Sequence, residues 1–376
     1  MPKRKNPERA RFAESDRVDA LAAVMPDVFR VFECAQVTHR GTSFPIFGVV
    51  IGSEDRTRPT FGLFGGVHGV ERVGTHVVLT FLESVAARLR WDKDLRRTLR
   101  KTRIVSMPMV NPVGVYARTR SNGRGVDLMR NAPVEAERSP PWLVGGHRIS
   151  RHLPWYRGSV ELEAESRALV DFVRTEMFPS RAALGLDIHS GFGMRDRLWY
   201  PYAKTRRPIS RMDDVLALAR LLDRTHPHHV YLVEAQSESY TTHGDLWDYL
   251  FDSAEAEREP SQLFLPFTLE IGSWRWIKKD PTRIFSRSGP FNPMTPHRYD
   301  RTMRRHLLLL DFFLRAARNH RAWRPGNVGV DQASRSADPS SCIETLDSVD
   351  HRSAPCGAAE AQWAPPTTLA RPESEI

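Results

Sequence analysis

Residues 65–71, with the sequence Gly-Gly-Val-His-Gly-Val-Glu, restrict the fold of this chain more than any other segment. They follow the apolar run 61–64, and a short apolar run bounded by glycines predicts a buried strand. His68 and Glu71 would then emerge in a tight turn where that strand ends. An imidazole and a carboxylate three positions apart on such a turn can bind the same Zn²⁺ ion.

A histidine and an acid at this spacing are weak evidence when taken alone. The chain has 14 histidines and 45 acidic residues among 376 positions, so roughly one or two such pairs are expected by chance. His297 and Asp300 form one pair of this kind. The significance of His68 and Glu71 therefore depends on the polar motifs that follow them.

The composition is that of an ordinary globular protein, with 40% hydrophobic and 27% charged residues. No apolar core follows the basic first residues before Val24, and no run approaches the roughly 18 apolar residues of a membrane span, so we expect neither a secretory signal nor a membrane segment. Three cysteines (Cys34, Cys342 and Cys356) cannot form a disulfide framework. This cysteine usage favours a reducing, cytoplasmic location.

The positive charge is unevenly distributed along the chain. Only three of the 55 basic residues but eight of the 45 acidic residues lie beyond position 324, so residues 1–324 carry a net charge of +15. Such a charge can attract nucleic acid, anionic surfaces or acidic substrates, although a solvated arginine-rich surface is the simpler interpretation. No nucleic-acid-binding motif accompanies the charge.

Alternating strand and helix patterns predict an α/β fold with a mostly parallel, mixed open sheet flanked by helices. The predicted strands are residues 28–32, 44–51, 61–64, 104–110, 182–188 and 263–269. The predicted helices are residues 73–89, 161–178, 212–222 and 304–318.

The chain is predicted to contain one folded domain with a less ordered segment at each end. Residues 1–20 are polar and basic and are expected to be loose, and residues 21–324 would form the catalytic domain. Residues 325–376 have few large apolar side chains and are expected to be disordered. Within the domain, residues 111–158 have no clear periodicity and are predicted to form a long loop of the kind that usually carries function.

Four polar motifs lie at or just after the carboxyl ends of predicted strands. In open α/β sheets, the ligand crevice lies beyond these ends. Two histidines and one glutamate from these motifs would complete a three-ligand catalytic zinc site with one position left for water. The motifs are His68/Glu71, the segment after Asn111-Pro112, Asp187-Ile188-His189-Ser190-Gly191 and Thr268-Leu269-Glu270-Ile271-Gly272.

The complete set of motifs resembles that of one known family. In chain order they are His68-Gly69-Val70-Glu71, Asn111-Pro112-Val113-Gly114, Arg120, Gly125-Val126-Asp127-Leu128-Met129-Arg130-Asn131, His189-Ser190, Tyr240-Thr241-Thr242-His243-Gly244 and Glu270. This order is similar to that of the zinc carboxypeptidases (carboxypeptidase A-like, or funnelin-type, metallocarboxypeptidases) from about residue 61 to residue 272. The resemblance implies the same fold and a hydrolase that cleaves a terminal amide bond.

The resemblance also implies a role for each motif residue in the reaction. His68, Glu71 and His189 would hold one zinc ion per chain. Glu270 would act as the general base and then as the general acid, and Arg120 would stabilise the oxyanion. Asp127 would accept a hydrogen bond from the far nitrogen of His68.

Substrate binding is implied for a second group of residues. Arg130, with Asn131 beside it, would bind the terminal carboxylate of a peptide, and Tyr240 would donate its hydroxyl to the substrate from a mobile loop. Met129 replaces an asparagine of the family pattern and removes one donor for that carboxylate. Trp247 would form the floor of the side-chain pocket and would restrict it to small residues.

Two other functions remain open at the level of sequence. A related type of amidohydrolase, the aspartoacylases and succinylglutamate desuccinylases, shares the His-x-x-Glu and the distant histidine and acts on N-acyl amino acids. A non-catalytic basic binding protein on the same fold is the other alternative. The oligomeric state is not encoded in any recognisable motif.

Overall fold

A nine-stranded mixed sheet forms the centre of the computed structural model, which describes residues 8–24 and 28–325. The strands are β1 (Glu8–Arg9), β2 (Phe29–His39), β3 (Thr42–Gly52), β4 (Thr60–Gly65), β5 (Arg103–Met107), β6 (Ala182–Ser190), β7 (Asp196–Tyr200), β8 (Tyr231–Ala235) and β9 (Leu263–Ile271). The helices are α1 (Ala13–Ala23), α2 (Arg72–Arg88), α3 (Lys93–Leu99), α4 (Pro112–Ala117), α5 (Ala164–Glu176), α6 (Met212–Thr225), α7 (Gln236–Ser239), α8 (Leu246–Glu257), α9 (Trp274–Lys279), α10 (Pro296–Arg318) and α11 (His320–Trp323).

The middle of the sheet is parallel and its flanks are mixed. The strand order is β1-β3-β5-β4-β6-β9-β7-β8, and β2 also pairs with β3. Strands β5, β4, β6 and β9 run parallel to one another, whereas β3 is antiparallel to β2 and β5, and β7 is antiparallel to β9. This topology confirms the predicted fold class.

Every residue of β4, β6 and β9 is buried, which explains why these strands are apolar almost throughout. Helices α2 and α10 pack on β4 and β6 and on each other, while α8 packs on β9. The core includes aromatic contacts between elements, such as Phe313 of α10 with Phe61 of β4 at a centroid distance of 5.9 Å. These layers fix the positions of the central strand ends.

Several elements differ from the expectations drawn from the sequence. Helix α10 begins at Pro296, two turns before the predicted start, and β7, β8 and α8 have no counterpart among the predicted elements. The buried residues of β7 and α8 pack on neighbours that are distant in sequence, which local periodicity does not report, and β8 is an edge strand with no buried residue. Residues 325–376, apart from Pro325, lie outside the described residues.

The amino-terminal segment, residues 1–20, is expected to be loose, but residues 8–20 contain regular structure. Its described part contains β1 and most of α1, which packs on α2. Val18 and Leu21 are buried in this contact. Glu14 is also buried and accepts hydrogen bonds from Arg72 at 2.6 Å and His76 at 2.9 Å. Tertiary contacts therefore stabilise a helix whose own amphipathic pattern is weak.

The described ranges contain no helix that combines the length and the apolar character needed to cross a membrane.

Candidate active site

Three neighbouring parallel strands bring the predicted site residues to one edge of the sheet. In the strand register, Gly65 at the end of β4 pairs with Ile188, and His189 of β6 pairs with Glu270 of β9. His189 and Glu270 are therefore neighbours across the ladder, and the turn after β4 carries His68 and Glu71 to the same place. The convergence expected from the sequence is present in the structure.

The turn that carries His68 and Glu71 packs directly against the Asn-Pro-Val-Gly segment. A Cβ atom at Gly69 would overlap the carbonyl group of Gly114, so the two backbones can approach only because residue 69 is glycine. Asn111 caps α4 by accepting a hydrogen bond from the Gly114 N–H at 2.8 Å, and its Nδ2 donates to the Val67 carbonyl at 3.2 Å. These contacts hold the histidine turn in place.

His68, Glu71 and His189 form a buried cluster that could hold a metal ion. One ligand atom from each residue lies within 4.8 Å of the others. His189 Nδ1 is 3.2 Å from Glu71 Oε2, and the two imidazole centroids are 5.0 Å apart. The Nδ1 atom of His68 is buried and has no hydrogen-bond partner among the described residues. Two imidazoles, one of them with an unpartnered nitrogen, and one carboxylate fit the donor set of a catalytic zinc site.

Electrostatics in the cluster favour the metal-binding forms of two of its donors, a neutral His68 and an ionised Glu71. Burial, followed by the positive charge of Arg120, lowers the pKa of His68 to about 3, so this imidazole is neutral. Burial opposes ionisation of Glu71, but His68, His189 and Arg120 outweigh it and lower the pKa of that carboxyl. The Ser190 backbone N–H also donates to Glu71 Oε2 at 2.9 Å.

Asp187 orients His189, a contact that the motif analysis missed. The Nε2 atom of His189 lies 2.8 Å from Asp187 Oδ2, and the Trp247 indole N–H donates to the same oxygen at 2.9 Å. Burial opposes protonation of His189, yet Asp187 holds the pKa of that imidazole well above its usual value. Residues two apart on a strand face the same side, so an acid two positions before a ligand histidine was a usable signal.

Asp187→Asn should weaken metal binding about 10–100-fold, because the amide carries no charge to increase the basicity of His189. Competition with a chromophoric chelator measures this affinity. Asp171→Asn, on the exposed side of α5, is the matched control and should bind metal like the wild type. An unchanged affinity in Asp187→Asn would show that this carboxylate does not support the metal site.

Arg120 is held at the edge of the His68/Glu71/His189 cluster by three side chains of the site. Its Nε donates to Asp127 Oδ2 at 2.8 Å and its Nη1 to Glu71 Oε1 at 3.2 Å, while Nη2 lies 2.8 Å from His68 Nε2. The side chain retains 28% exposure. Asp127 lies 3.6 Å from His68 Nδ1 and accepts no hydrogen bond from it. In this structure Asp127 therefore binds Arg120 and does not bind His68.

Glu270 lies in the same cavity with a strongly perturbed carboxyl group. The Phe192 backbone N–H donates to its Oε1 at 2.8 Å, and the residue is 6% exposed. Burial, followed by the negative charge of Glu71, raises the pKa of Glu270 to about 8. A carboxyl with a pKa near neutrality is suited to accept and return a proton.

Arg130 and Tyr240 form the opposite side of the cavity. The Arg130 guanidinium carbon is 6.0 Å from the centroid of the Tyr240 ring, and no ion pair joins this arginine to an acid in the described part of the chain. Gly244 has a φ of +71°, and a Cβ atom there would overlap the Arg130 carbonyl. The Tyr-x-x-x-Gly spacing therefore places the tyrosine loop against Arg130.

The cavity has a volume of about 450 Å³ and a largely aromatic and apolar wall. The predicted residues that line it are His68, Glu71, Arg120, Arg130, His189, Tyr240 and Glu270. Met129 and Thr268 also line it, together with residues outside the sequence motifs, including Trp155, Phe192, Trp199, Gln236 and Phe291. The Phe192 ring contacts Trp199 and Tyr240 at centroid distances of 5.6 Å each.

Two expected substrate-binding residues do not reach the cavity. Asn131 is fully buried and bonds to backbone groups alone: its Nδ2 donates to the Arg157 carbonyl at 3.0 Å and its Oδ1 accepts from the Glu163 N–H at 2.7 Å. Trp247 packs on Phe64 in the core, behind the His68/Glu71/His189 cluster. The expectation that Trp247 forms the pocket floor is corrected, because α8 directs the indole toward Asp187.

Comparisons with known proteins agree with this geometry. A family model described as zinc carboxypeptidase matches residues 16–273. The chain is 24% identical over 242 residues to carboxypeptidase SOL1 of Arabidopsis thaliana, covering 62% of this chain and 45% of that protein. It is 30% identical over 122 residues to carboxypeptidase E of Caenorhabditis elegans, covering 29% of this chain and 26% of that protein. The chain thus spans less than half the length of these curated relatives.

Solved structures show the same fold. The crystal structure of thrombin activatable fibrinolysis inhibitor superimposes with a TM-score of 0.61 at 20% identity, covering 80% of this chain and 72% of that one. Carboxypeptidase A from Helicoverpa armigera gives a TM-score of 0.53 at 20% identity, covering 81% and 77%. The family match spans most of the chain and includes the histidine, glutamate and arginine motifs described above. The protein therefore belongs to the zinc carboxypeptidase family.

Proposed function

We propose that this protein is a zinc-dependent metallocarboxypeptidase that hydrolyses the amide bond next to a free terminal carboxylate. The observation that carries the proposal is the placement of Glu270, Arg120 and Arg130 around the His68/Glu71/His189 cluster in a single cavity. Each group has a position that matches one requirement of amide hydrolysis, namely a proton acceptor, an oxyanion partner and a carboxylate partner.

His68, Glu71 and His189 would hold the zinc ion. When bound, zinc lowers the pKa of a water molecule and polarises a carbonyl group. Asp187 would keep the Nδ1 lone pair of His189 directed toward the cluster, because Nε2 is engaged by the carboxylate.

Glu270 would remove a proton from the attacking water and later transfer it to the leaving nitrogen. Its Oε1 is held by the Phe192 N–H, which leaves Oε2 to accept that proton. Burial of Glu270 and the neighbouring charge of Glu71 favour the neutral form of the acid once the proton has been taken up.

Arg120 would stabilise the oxyanion that develops when the carbonyl is attacked. Asp127 and Glu71 fix its guanidinium before substrate arrives, so little reorganisation is required. Arg130 would pair with the terminal carboxylate, for which a guanidinium offers two parallel N–H donors. Tyr240, next to Arg130, would donate its hydroxyl to the same end of the substrate.

The proposal is tested with a matched pair of peptides, one with a free terminal carboxylate and one with a terminal amide. We expect release of the last amino acid from the free peptide only, and loss of that activity in the presence of a chelator, read by mass spectrometry. Equal cleavage of the amidated peptide would contradict the assignment. A panel of N-acyl amino acids distinguishes the amidohydrolase alternative, for which the replacement at Met129 is the supporting observation.

Met129→Asn should lower the KM for the free peptide about tenfold, because it adds a donor to the carboxylate beside Arg130, and a hydrogen bond to a charged group contributes about 1.5–3 kcal/mol. Met129 lines the cavity and is 4% exposed, so the shorter amide fits. Steady-state kinetics on the free and amidated peptides measure the effect. Met129→Leu, which adds no donor, is the control and should leave the KM unchanged.

A further inference from the structure

A second cavity, outside the active site, is lined by five cationic side chains together with Trp276 and Thr302. It has a volume of about 260 Å³ and lies between α9 and the first turns of α10. None of its lining residues belongs to the active-site cavity. The cations that line it are Arg275, Lys279, Arg298, Arg301 and Arg305.

The positive charge of this cavity is only partly compensated within residues 8–24 and 28–325. Asp196 is fully buried, and it binds Arg275 Nη2 at 2.7 Å and Arg305 Nη1 at 2.9 Å. The Gly272 N–H donates to the same carboxylate at 2.9 Å. Lys279 and Arg301 are exposed, and Arg298 is half-buried. None of the three has an ion-pair partner in that part of the chain, and Nη1 of Arg298 is buried without a hydrogen bond.

This arrangement places like charges close together with only one carboxylate, Asp196, to balance them in the described part of the chain. Arg275 and Lys279 lie four positions apart on α9, and Arg301 and Arg305 lie four positions apart on α10, a spacing at which like charges repel. Arg298 lies in the first turn of α10, where the helix dipole disfavours a cation. Burial and the neighbouring arginines lower the pKa of Arg275 although Asp196 opposes them.

We propose that this cavity binds the phosphate group of a small molecule. A phosphate carries a charge of about −1.5 to −2 near neutral pH and offers three or more acceptor oxygens. Guanidinium groups come from two helices, α9 and α10, so their donors can reach different oxygens of a tetrahedral anion. The site does not depend on the hydrolytic function proposed above.

Titration calorimetry with inorganic phosphate at pH 8, with ionic strength held constant by sodium chloride, tests the proposal. We expect saturable binding of one phosphate to the wild type at this cavity. The double variant Arg298→Gln/Arg301→Gln should bind at least about tenfold more weakly, since hydrogen bonds from charged donors are lost. Arg304→Gln removes an exposed arginine of α10 that does not line the cavity, and it should bind like the wild type.

Thermal unfolding in phosphate-free buffer shows whether these arginines serve the fold or a ligand. The double variant should unfold at the same temperature as the wild type or higher, because the repulsion among the cationic side chains of the cavity is reduced. Added phosphate should raise the unfolding temperature of the wild type and of Arg304→Gln, but not that of the double variant. Equal phosphate affinity in the wild type and the double variant, or a lower unfolding temperature of the double variant without phosphate, would overturn the proposal.

Discussion

Glu270→Gln should lower kcat by about 10²–10⁴-fold, the contribution expected of a positioned general base. Glutamine keeps the shape of the side chain and can still accept the Phe192 N–H, but it cannot take a proton from water. The fold should be retained, because burial and Glu71 already favour the uncharged form of this carboxyl. Metal analysis of the purified variant should give the same metal content as the wild type, since Glu270 is not part of the His68/Glu71/His189 cluster.

The matched control for this experiment is Glu238→Gln. Glu238 lies on α7, next to a residue that lines the cavity, but its own side chain is exposed. Its replacement should leave kcat and KM unchanged. If Glu270→Gln turned over the free peptide at the rate of the wild type, the proton acceptor would have to be another group. If it lost both activity and metal, Glu270 would have a structural role in the cluster.

Glu176→Ala should reduce the free energy of unfolding by about 3–5 kcal/mol, the cost of leaving a buried charge without its partner. Arg103 is fully buried, and its guanidinium forms an ion pair with Glu176 and donates to the Glu176 carbonyl at 2.7 Å. These hydrogen bonds and charges lower the pKa of Glu176 despite its burial. Urea denaturation at fixed metal concentration measures the loss.

A surface ion pair provides the comparison for this variant. Glu257 pairs with Arg174, and both side chains are more than one-third exposed. Glu257→Ala should therefore cost less than about 1 kcal/mol. Replacing both members of the buried pair, as in Arg103→Met/Glu176→Leu, should recover most of the stability, because no isolated charge remains. Equal losses in Glu176→Ala and Glu257→Ala would show that the buried pair does not stabilise the fold.

The central strands and the candidate metal site were predictable because the sequence patterns that specify them are local. The apolar runs before His68 and His189 are typical of buried strands. Polar residues that interrupt such runs at their carboxyl ends meet at one edge of a parallel sheet. Glu270 followed the same rule at the end of the last strand. Sequence alone therefore located the donors of the candidate metal site.

Contacts between distant segments account for what the sequence did not show. The partner of His189 could have been found from the spacing of Asp187, but the orientation of Trp247 depends on how α8 packs against β6 and β9. Asn131 appears equivalent to Arg130 in the motif, yet only the structure shows that its amide is occupied by backbone groups. The aromatic lining comes from several loops, whose conformations have no periodic signal.

The register between β6 and β9 has a consequence for how this molecule could change its specificity. Because the ladder of backbone bonds sets the separation of His189 and Glu270, the geometry of the proposed reaction would be insulated from insertions and replacements in the surrounding loops. Those loops, including the residues near Trp155 and Tyr240, supply most of the wall that a substrate would touch. New preferences could thus evolve at the rim without redesign of the chemistry beneath it.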